Sequence, residues 1–334
     1  MKKLIFIVAL LMIAAIGWYK WSLRPLDSSD DVRRPVTIQS GLSVSDIGAL
    51  LELKSVIRSA RAFSLYARIH RSQSGLQAGD FLLRASQGVP EIIDTLRSGK
   101  SEEIGITIPE GFAVSDIDAL LAKKGLITAG SFTACAQTCD LSSYEFLPKV
   151  SVLSKRGGKV EGYLFPDTYL VFSQKFSAED FLKRLLETFR KRVVAGLVTD
   201  LKSSKYSLHE VITMASLIEE ETKAGDERPV VSGILWKRFE AEQGLGADAT
   251  VRYILDKPTD AITAKDLEID SPYNLRKFRG LPPGPIANPG LSSIKAALHP
   301  EDSKYWYYLH GKDGVIRYAE TNDEHNRNKA LYLR

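Results

Sequence analysis

The stretch VSDIGALLELKSVI, residues 44–57, returns as VSDIDALLAKKGLI at residues 114–127, identical at nine of fourteen positions. The segments before them correspond too, IQSGLS at 38–43 and IPEGFA at 108–113. Each copy reads as a strand, a turn at glycine and a helix, with Ser45 or Ser115 as N-cap ahead of Ile47, Leu50 and Leu51 or their counterparts. Between the copies, FSLYARIH (63–70) reads as helix, GDFLLRA (79–85) as strand and Pro90 to Ser98 as helix. The expected class is α+β.

The 334 residues are 44% hydrophobic and 26% charged, which is globular composition and excludes collagen-like and disordered classes. A net charge of +4 is too weak to argue for nucleic acid. Two cysteines, Cys135 and Cys139, cannot supply a disulfide framework or a four-ligand zinc site, and five scattered histidines form no HExxH pair. No metal and no organic cofactor is expected. A local bridge between the two cysteines stays open.

At the N-terminus, Lys2 and Lys3 precede an apolar run from Leu4 to Tyr19, followed by Lys20, Trp21 and Arg24. Read with Lys20 snorkelling, Leu4 to Leu23 gives the roughly 17 to 25 residues that a bilayer span needs. The expectation is a single transmembrane signal anchor over residues 1–23, with Trp18, Tyr19 and Trp21 as an aromatic belt. It would place the protein in the cytoplasmic (inner) membrane, single-pass, with the rest of the chain on the periplasmic side. The competing reading is a signal peptide cleaved near Ala15-Ile16-Gly17.

From Gly157 the texture changes. GGKVEGYLFPDTYLVF reads as a buried strand pair around a turn at Phe165-Pro166-Asp167, and Phe181 to Val198 as one long basic helix. Ser207-Leu208-His209-Glu210 is a capping box that starts a helix at Ser207 and aligns Val211, Met214, Ala215 and Ile218; the helix is expected to run to about Ala224 and stop at Gly225. Three consecutive glutamates close it, separated by about 100° each on the helical wheel. Glu220 points away from the apolar face, Glu219 sits at its margin, and Glu221 is directed inward. A carboxyl so placed loses water, its pKa rises, and it can hold a proton for general acid catalysis. The bland alternative is a glutamate salt-bridged to Arg228 or Lys223.

The stretch MASLIEEET at 214–222 resembles the signature helix of the YceG-like family of endolytic murein transglycosylases, whose pattern is A-S-x-x-E-x-E-T. The likeness continues through EGYLFPDTY (161–169), Glu227-Arg228, Asp248 to Val251, Ser271-Pro272-Tyr273-Asn274, GLPPGPIANPG (280–290), Ser293 to Ala297, His299-Pro300, Thr321 and Glu324-His325-Asn326. Two departures are visible: L-Q-T-D-P-T reads Leu245-Gly246-Ala247-Asp248-Ala249-Thr250, and N-R-L reads Lys237-Arg238-Phe239. Residues 36–85 also resemble a LysM-type βααβ module, whose alternative is a structural spacer.

The resemblance implies a domain order of anchor (1–23), LysM-like module (30–100), second repeat or linking segment (101–156) and YceG-like α+β catalytic domain (157–334). It implies cleavage of nascent peptidoglycan strands between N-acetylmuramic acid and N-acetylglucosamine, leaving 1,6-anhydro ends, with Glu221 as acid and then base. Peptidoglycan synthases are the implied protein partners. Candidate supporting residues are Glu219 and Asp248, then Tyr273 and Asn274 for a stacking face and an amide suited to an acetamido sugar, and Pro282 and Pro283 as a rigid cleft wall. Two other functions stay open: a noncatalytic glycan-binding scaffold, and a hydrolytic muramidase using Asp248 or Glu219 as a second carboxylate.

Overall fold

The computed structural model describes residues 2–98, 103–149, 157–172, 176–222, 225–256 and 262–333. The chain divides into two compact units, residues 1–104 with 170–175, and residues 105–169 with 176–334. The architecture is α+β.

In the first unit the order is α1 (Lys2–Ser22), β1 (Arg33–Ile38), α2 (Val44–Leu53), α3 (Ala60–Ile69), β2 (Gly79–Arg84) and α4 (Val89–Ser98). Strands β1 and β2 pair antiparallel, Val36 opposite Phe81. Alternation puts Val36 and Ile38 on the inner face, where they meet Ile47, Leu51, Phe63, Leu83, Ile92 and Leu96 in one apolar core. Gly48 lets α2 approach α3, since a Cβ there would lie 3.0 Å from the Ala60 carbonyl. The cap of α2 is Ser43, not Ser45: Ser43 accepts from the Asp46 amide and Asp46 accepts from the Ser43 amide. Two residues earlier in the chain, a reciprocal box satisfies two orphan donors where Ser45 alone would satisfy one.

The expected membrane anchor is overturned. Among the described residues no helix is long and apolar enough to cross a membrane. The uninterrupted apolar part of α1, Leu4 to Tyr19, is sixteen residues, about 24 Å of helix against a hydrocarbon core of about 30 Å. The aromatic residues taken for an interfacial belt have another use at Trp21, over which the Arg58 guanidinium stacks at 4.5 Å. Arg58 also donates to the Pro25 and Leu26 carbonyls, and the Val89 amide donates to Leu23, so the end of α1 is tied into this unit.

The division between the units falls within a second pair of strands, β3 (Glu103–Thr107) and β4 (Thr168–Phe172). The second unit continues with α5 (Val114–Lys123), α6 (Ser131–Thr138), α7 (Ala178–Phe189), α8 (Val198–Ser203), α9 (Leu208–Glu221), α10 (Arg228–Glu240), α11 (Asp248–Leu255), α12 (Leu291–Leu298), the hairpin β5 (Tyr307–His310) and β6 (Ile316–Ala319), and α13 (Asn322–Tyr332). A disulfide joins Cys135 in the last turn of α6 to its C-cap, Cys139. Asp118 on α5 caps α6 from a distance, accepting from the amides of Gly130, Phe132 and Thr133.

Two local readings change. Residues 161–167 are not one arm of a strand pair: the Leu164 amide donates to the distant Asn288 Oδ1 at 2.8 Å, the Tyr163 amide to the Val160 carbonyl, and the Asp167 carbonyl accepts from the Ile108 amide. The long basic helix ends at Phe189 and passes into a π-turn over Arg190–Ala195.

Helix α9 is the axis of the second unit. Its Ser207–Glu210 capping box forms as read. Every residue from Val211 to Ile218 is buried, so the helix is enclosed rather than merely faced by the core. Of its polar members, Ser216 Oγ donates to the Thr213 carbonyl and accepts from the Ile286 amide, while Thr213 Oγ1 is buried without a hydrogen-bond partner among the described residues. The helix stops at Glu221, with Thr222 as C-cap. That is short of the expected end near Ala224, because Thr222 is already extended.

Candidate active site

The last turn of α9 carries the three glutamates into three different environments. Glu219 is almost closed to solvent. It accepts from Arg228 Nη2 at 2.9 Å and from the Gly290 amide at 2.8 Å, while Arg228 Nε donates to Ser293 Oγ at 2.9 Å. These contacts join the ends of α9, α10 and α12. A carboxylate fully engaged in this way holds helices together and has no oxygen left for a reacting sugar.

Glu220 is exposed as a residue, yet its Oε1 lies against Gly111, where a Cβ would come within 2.9 Å. It lines a cavity of about 130 Å³ with Ser115, Asp116, Arg252 and Asp256. Crowding of the oxygens, more than exposure of the stem, governs its chemistry. Desolvation first, then the charges of Glu219, Asp116 and Glu221, push it up to about 7.

Glu221 opens into a separate groove of about 380 Å³, whose walls include Arg238, Gly246, Asp248, Arg276, Tyr308 and His310. Tyr308 Oη donates to Glu221 Oε2 at 3.1 Å. Burial raises the carboxyl above its ordinary value of 4.5 and Asp248 adds to the rise, while the Tyr308 hydrogen bond, Arg276 and His310 oppose it. The net shift is upward, and a cleft lies beside the carboxyl to receive a ligand.

Around the groove the charges are arranged in pairs. Asp248, the first residue of α11, binds Arg276 at 2.6 Å. His310 Nε2 meets Glu227 at 3.0 Å. Arg238 Nη2 donates to the Gly244 carbonyl, and its guanidinium lies over the Tyr307 ring at 5.5 Å. His325 stacks on Tyr307 with ring centroids 5.2 Å apart, and burial lowers its pKa to about 4, so its imidazole is neutral at neutral pH. Among the described residues, no group of three or more His, Cys, Asp or Glu side chains could hold a metal ion.

Of the residues singled out in the sequence, Glu221 and Asp248 share this groove. Tyr273 is buried against the Tyr253 ring. Asn274 is fully buried and spends its amide on the Leu267 and Ile269 carbonyls and the Arg276 amide, which builds the turn after Pro272. Pro282 and Pro283 belong to a strap that lies on α9: the Pro283 carbonyl accepts from His209 Nε2 at 2.8 Å, and His209 Nδ1 meets the Tyr163 hydroxyl at 2.9 Å. They support the helix that carries Glu221 and do not line its groove.

Sequence reasoning missed Tyr308 and His310. The run YWYYLH at 305–310 has the aromatic content of a strand, and a period of two would have put both residues on one face. It also missed Glu161, a buried carboxylate that accepts from the Val114 amide and from Tyr253 Oη, both at 3.0 Å.

The model of the YceG-like family matches residues 36–331. The chain belongs to the YceG-like family. Its curated relatives include the endolytic murein transglycosylase of Bacillus subtilis strain 168, 35% identical over 97% of this chain and 91% of the relative. Another is the endolytic murein transglycosylase of Streptococcus pneumoniae serotype 2 strain D39, 27% identical over 98% of this chain and 64% of the relative. Among solved structures, a yceG-like protein from Listeria monocytogenes superposes with a TM-score of 0.63 at 32% identity, covering 88% of this chain and 98% of that one. Of the departures from the family pattern, Gly246 and Ala247 line the Glu221 groove and Ala249 lines the Glu220 cavity, whereas in Lys237-Arg238-Phe239 it is the unchanged Arg238 that stands in the groove wall.

Proposed function

We propose that this YceG-like protein cleaves murein glycan strands internally by lytic transglycosylation, with Glu221 as the one residue that gives and then takes the proton. By family membership, and by the names of relatives that match it nearly end to end, the chain is a peptidoglycan lytic transglycosylase, a carbon–oxygen lyase. What supports the finer reading is Glu221 itself: a carboxyl raised by burial, at the edge of a groove, hydrogen-bonded by a phenol.

In the first step Glu221 donates its proton to the glycosidic oxygen between N-acetylmuramic acid and N-acetylglucosamine. The bond from C1 to that oxygen breaks and positive charge develops on the muramyl ring. In the second, the Glu221 carboxylate takes the proton of the muramyl C6 hydroxyl while O6 bonds to C1. Glu221 is protonated again, no water is consumed, and the new end is 1,6-anhydromuramic acid. Hydrolysis would need a second carboxylate to activate water or to attack C1. Asp248 shares the groove, but its carboxylate is bound to Arg276, which suits orientation of a loop better than attack. Binding through the βααβ unit, as in LysM-type modules, and association with peptidoglycan synthases belong to the same reading.

Digestion of purified glycan strands by wild type, Glu221→Gln and Asp248→Asn tests it. Anhydro ends from wild type, loss of product by at least roughly a hundredfold in Glu221→Gln with folding retained, and residual anhydro product in Asp248→Asn are expected. Reducing ends from wild type, or full activity in Glu221→Gln, would remove the assignment.

A further inference from the structure

We propose that Tyr308 is a positioning residue for Glu221: its phenol occupies Oε2 as a donor, leaves the transferable proton on Oε1, and stabilises the carboxylate formed when that proton departs. The inference rests on the transglycosylase reading and extends it to the C-terminal hairpin.

The geometry assigns the two oxygens unequal tasks. A protonated carboxyl has one hydroxyl and one carbonyl oxygen, and Oε2 accepts from Tyr308 Oη at 3.1 Å. Oε2 is therefore the carbonyl oxygen and Oε1 the acid. After the proton moves to the glycosidic oxygen, the same phenol faces a full carboxylate, and a hydrogen bond to a charged acceptor is roughly twice as strong as a neutral one. The contact thus gains strength as the reaction proceeds, which is the property that lowers a barrier. Tyr308 does not itself exchange protons, because burial holds its phenol well above 10.

Its position is set by rigid surroundings. Tyr308 pairs with Tyr318 across the β5–β6 ladder, and its neighbour Tyr307 stacks on His325 of α13. Phenol and carboxyl come from elements 87 residues apart, so the hairpin and the last helix are part of the site rather than a tail after it. The other charged groups facing Glu221 have partners of their own: Arg276 with Asp248, His310 with Glu227, and Arg238 with the Gly244 carbonyl. Glu220 precedes it on α9, and His325 and Lys329 of α13 line the same groove. Among the described residues, Tyr308 is the side chain that hydrogen-bonds the Glu221 carboxyl.

The test compares wild type, Tyr308→Phe and Lys304→Ala on purified glycan strands, recording kcat and KM separately across pH and whether the new ends are anhydro or reducing. Lys304, paired with Glu320 on the surface just before the hairpin, is the control. Tyr308→Phe is expected to lose about ten- to a hundredfold in kcat, the scale of a hydrogen bond to a charged group, with KM little changed and anhydro ends retained. Removing a donor to the carboxylate raises the Glu221 pKa, so the alkaline limb of the kcat profile moves to higher pH. A second readout needs no turnover: with labelled glutamate, the infrared carbonyl band assigned by its loss in Glu221→Gln shifts up in frequency in Tyr308→Phe. Anhydro ends with an unmoved limb and an unmoved band overturn this inference and leave the transglycosylase reading standing. Reducing ends from wild type overturn both, while the band still reports the contact.

Discussion

Arg228 and Glu219 form an ion pair at 2.9 Å with 14% and 7% of their side chains exposed, two residues from Glu221. Each partner has a further hydrogen bond, to Ser293 and to the Gly290 amide, so the pair binds the end of α9 to two neighbours. Breaking one side of a buried pair strands the other charge. Arg228→Met is expected to lose about 3–5 kcal/mol in urea unfolding, and the Glu219→Gln, Arg228→Met double variant less than the sum of the two singles. A loss below about 0.5 kcal/mol in Arg228→Met would show that the pair contributes nothing to stability.

Glu220 makes stability depend on pH in a direction opposite to that of most carboxylates. Its pKa rises from 4.5 to about 7 on folding, so the folded state holds more protons through that window and stability falls as pH rises. The cost is absent below 4.5 and complete above about 7. Glu220→Gln should stabilise the protein at pH ~8 by roughly 1 kcal/mol, a figure reduced for the solvent screening of its exposed stem, and change nothing at pH ~4. Denaturant melts at both values measure this. Glu221, also raised, leaves part of the slope in place.

Gly162 tests how closely the segment 161–167 fits the proline strap. Its φ is +85° and a Cβ would come within 2.4 Å of the Pro285 ring, a neighbour that cannot swing aside. Gly162→Ala is expected to lose about 3 kcal/mol or more, combining left-handed strain with overpacking. Gly280, at φ +88° with open space around it, should lose only about 1–2 kcal/mol on the same change. Equal thermal shifts for the two variants would refute the packing argument.

The capping box at Ser207 and the helix of the three glutamates were legible because they depend on residues three or four apart. The α2 cap was misplaced by two residues because Ser43 and Ser45 carry the same chemistry, and only the Asp46 reach-back distinguishes them. The irregular path of residues 161–167 was not legible, since an apolar, aromatic segment reads as strand until Asn288, 124 positions away from Leu164, is known to satisfy its backbone. The membrane reading failed for a related reason. Hydropathy counts apolar residues but does not see that Trp21 and Leu23 are used by Arg58 and Val89.

By itself the order of residues determined the repeat, the α+β alternation, the start of α9 and the separation of its three carboxyls around the helix, all of which follow from local spacing and backbone geometry. The tertiary structure alone decided which neighbours each carboxyl meets: Arg228 for Glu219, Gly111 and Asp116 for Glu220, Tyr308 for Glu221. Periodicity states a direction from the helix axis, whereas the proton affinity of a carboxyl depends on the water removed and the charges brought near by chain segments that local sequence does not relate.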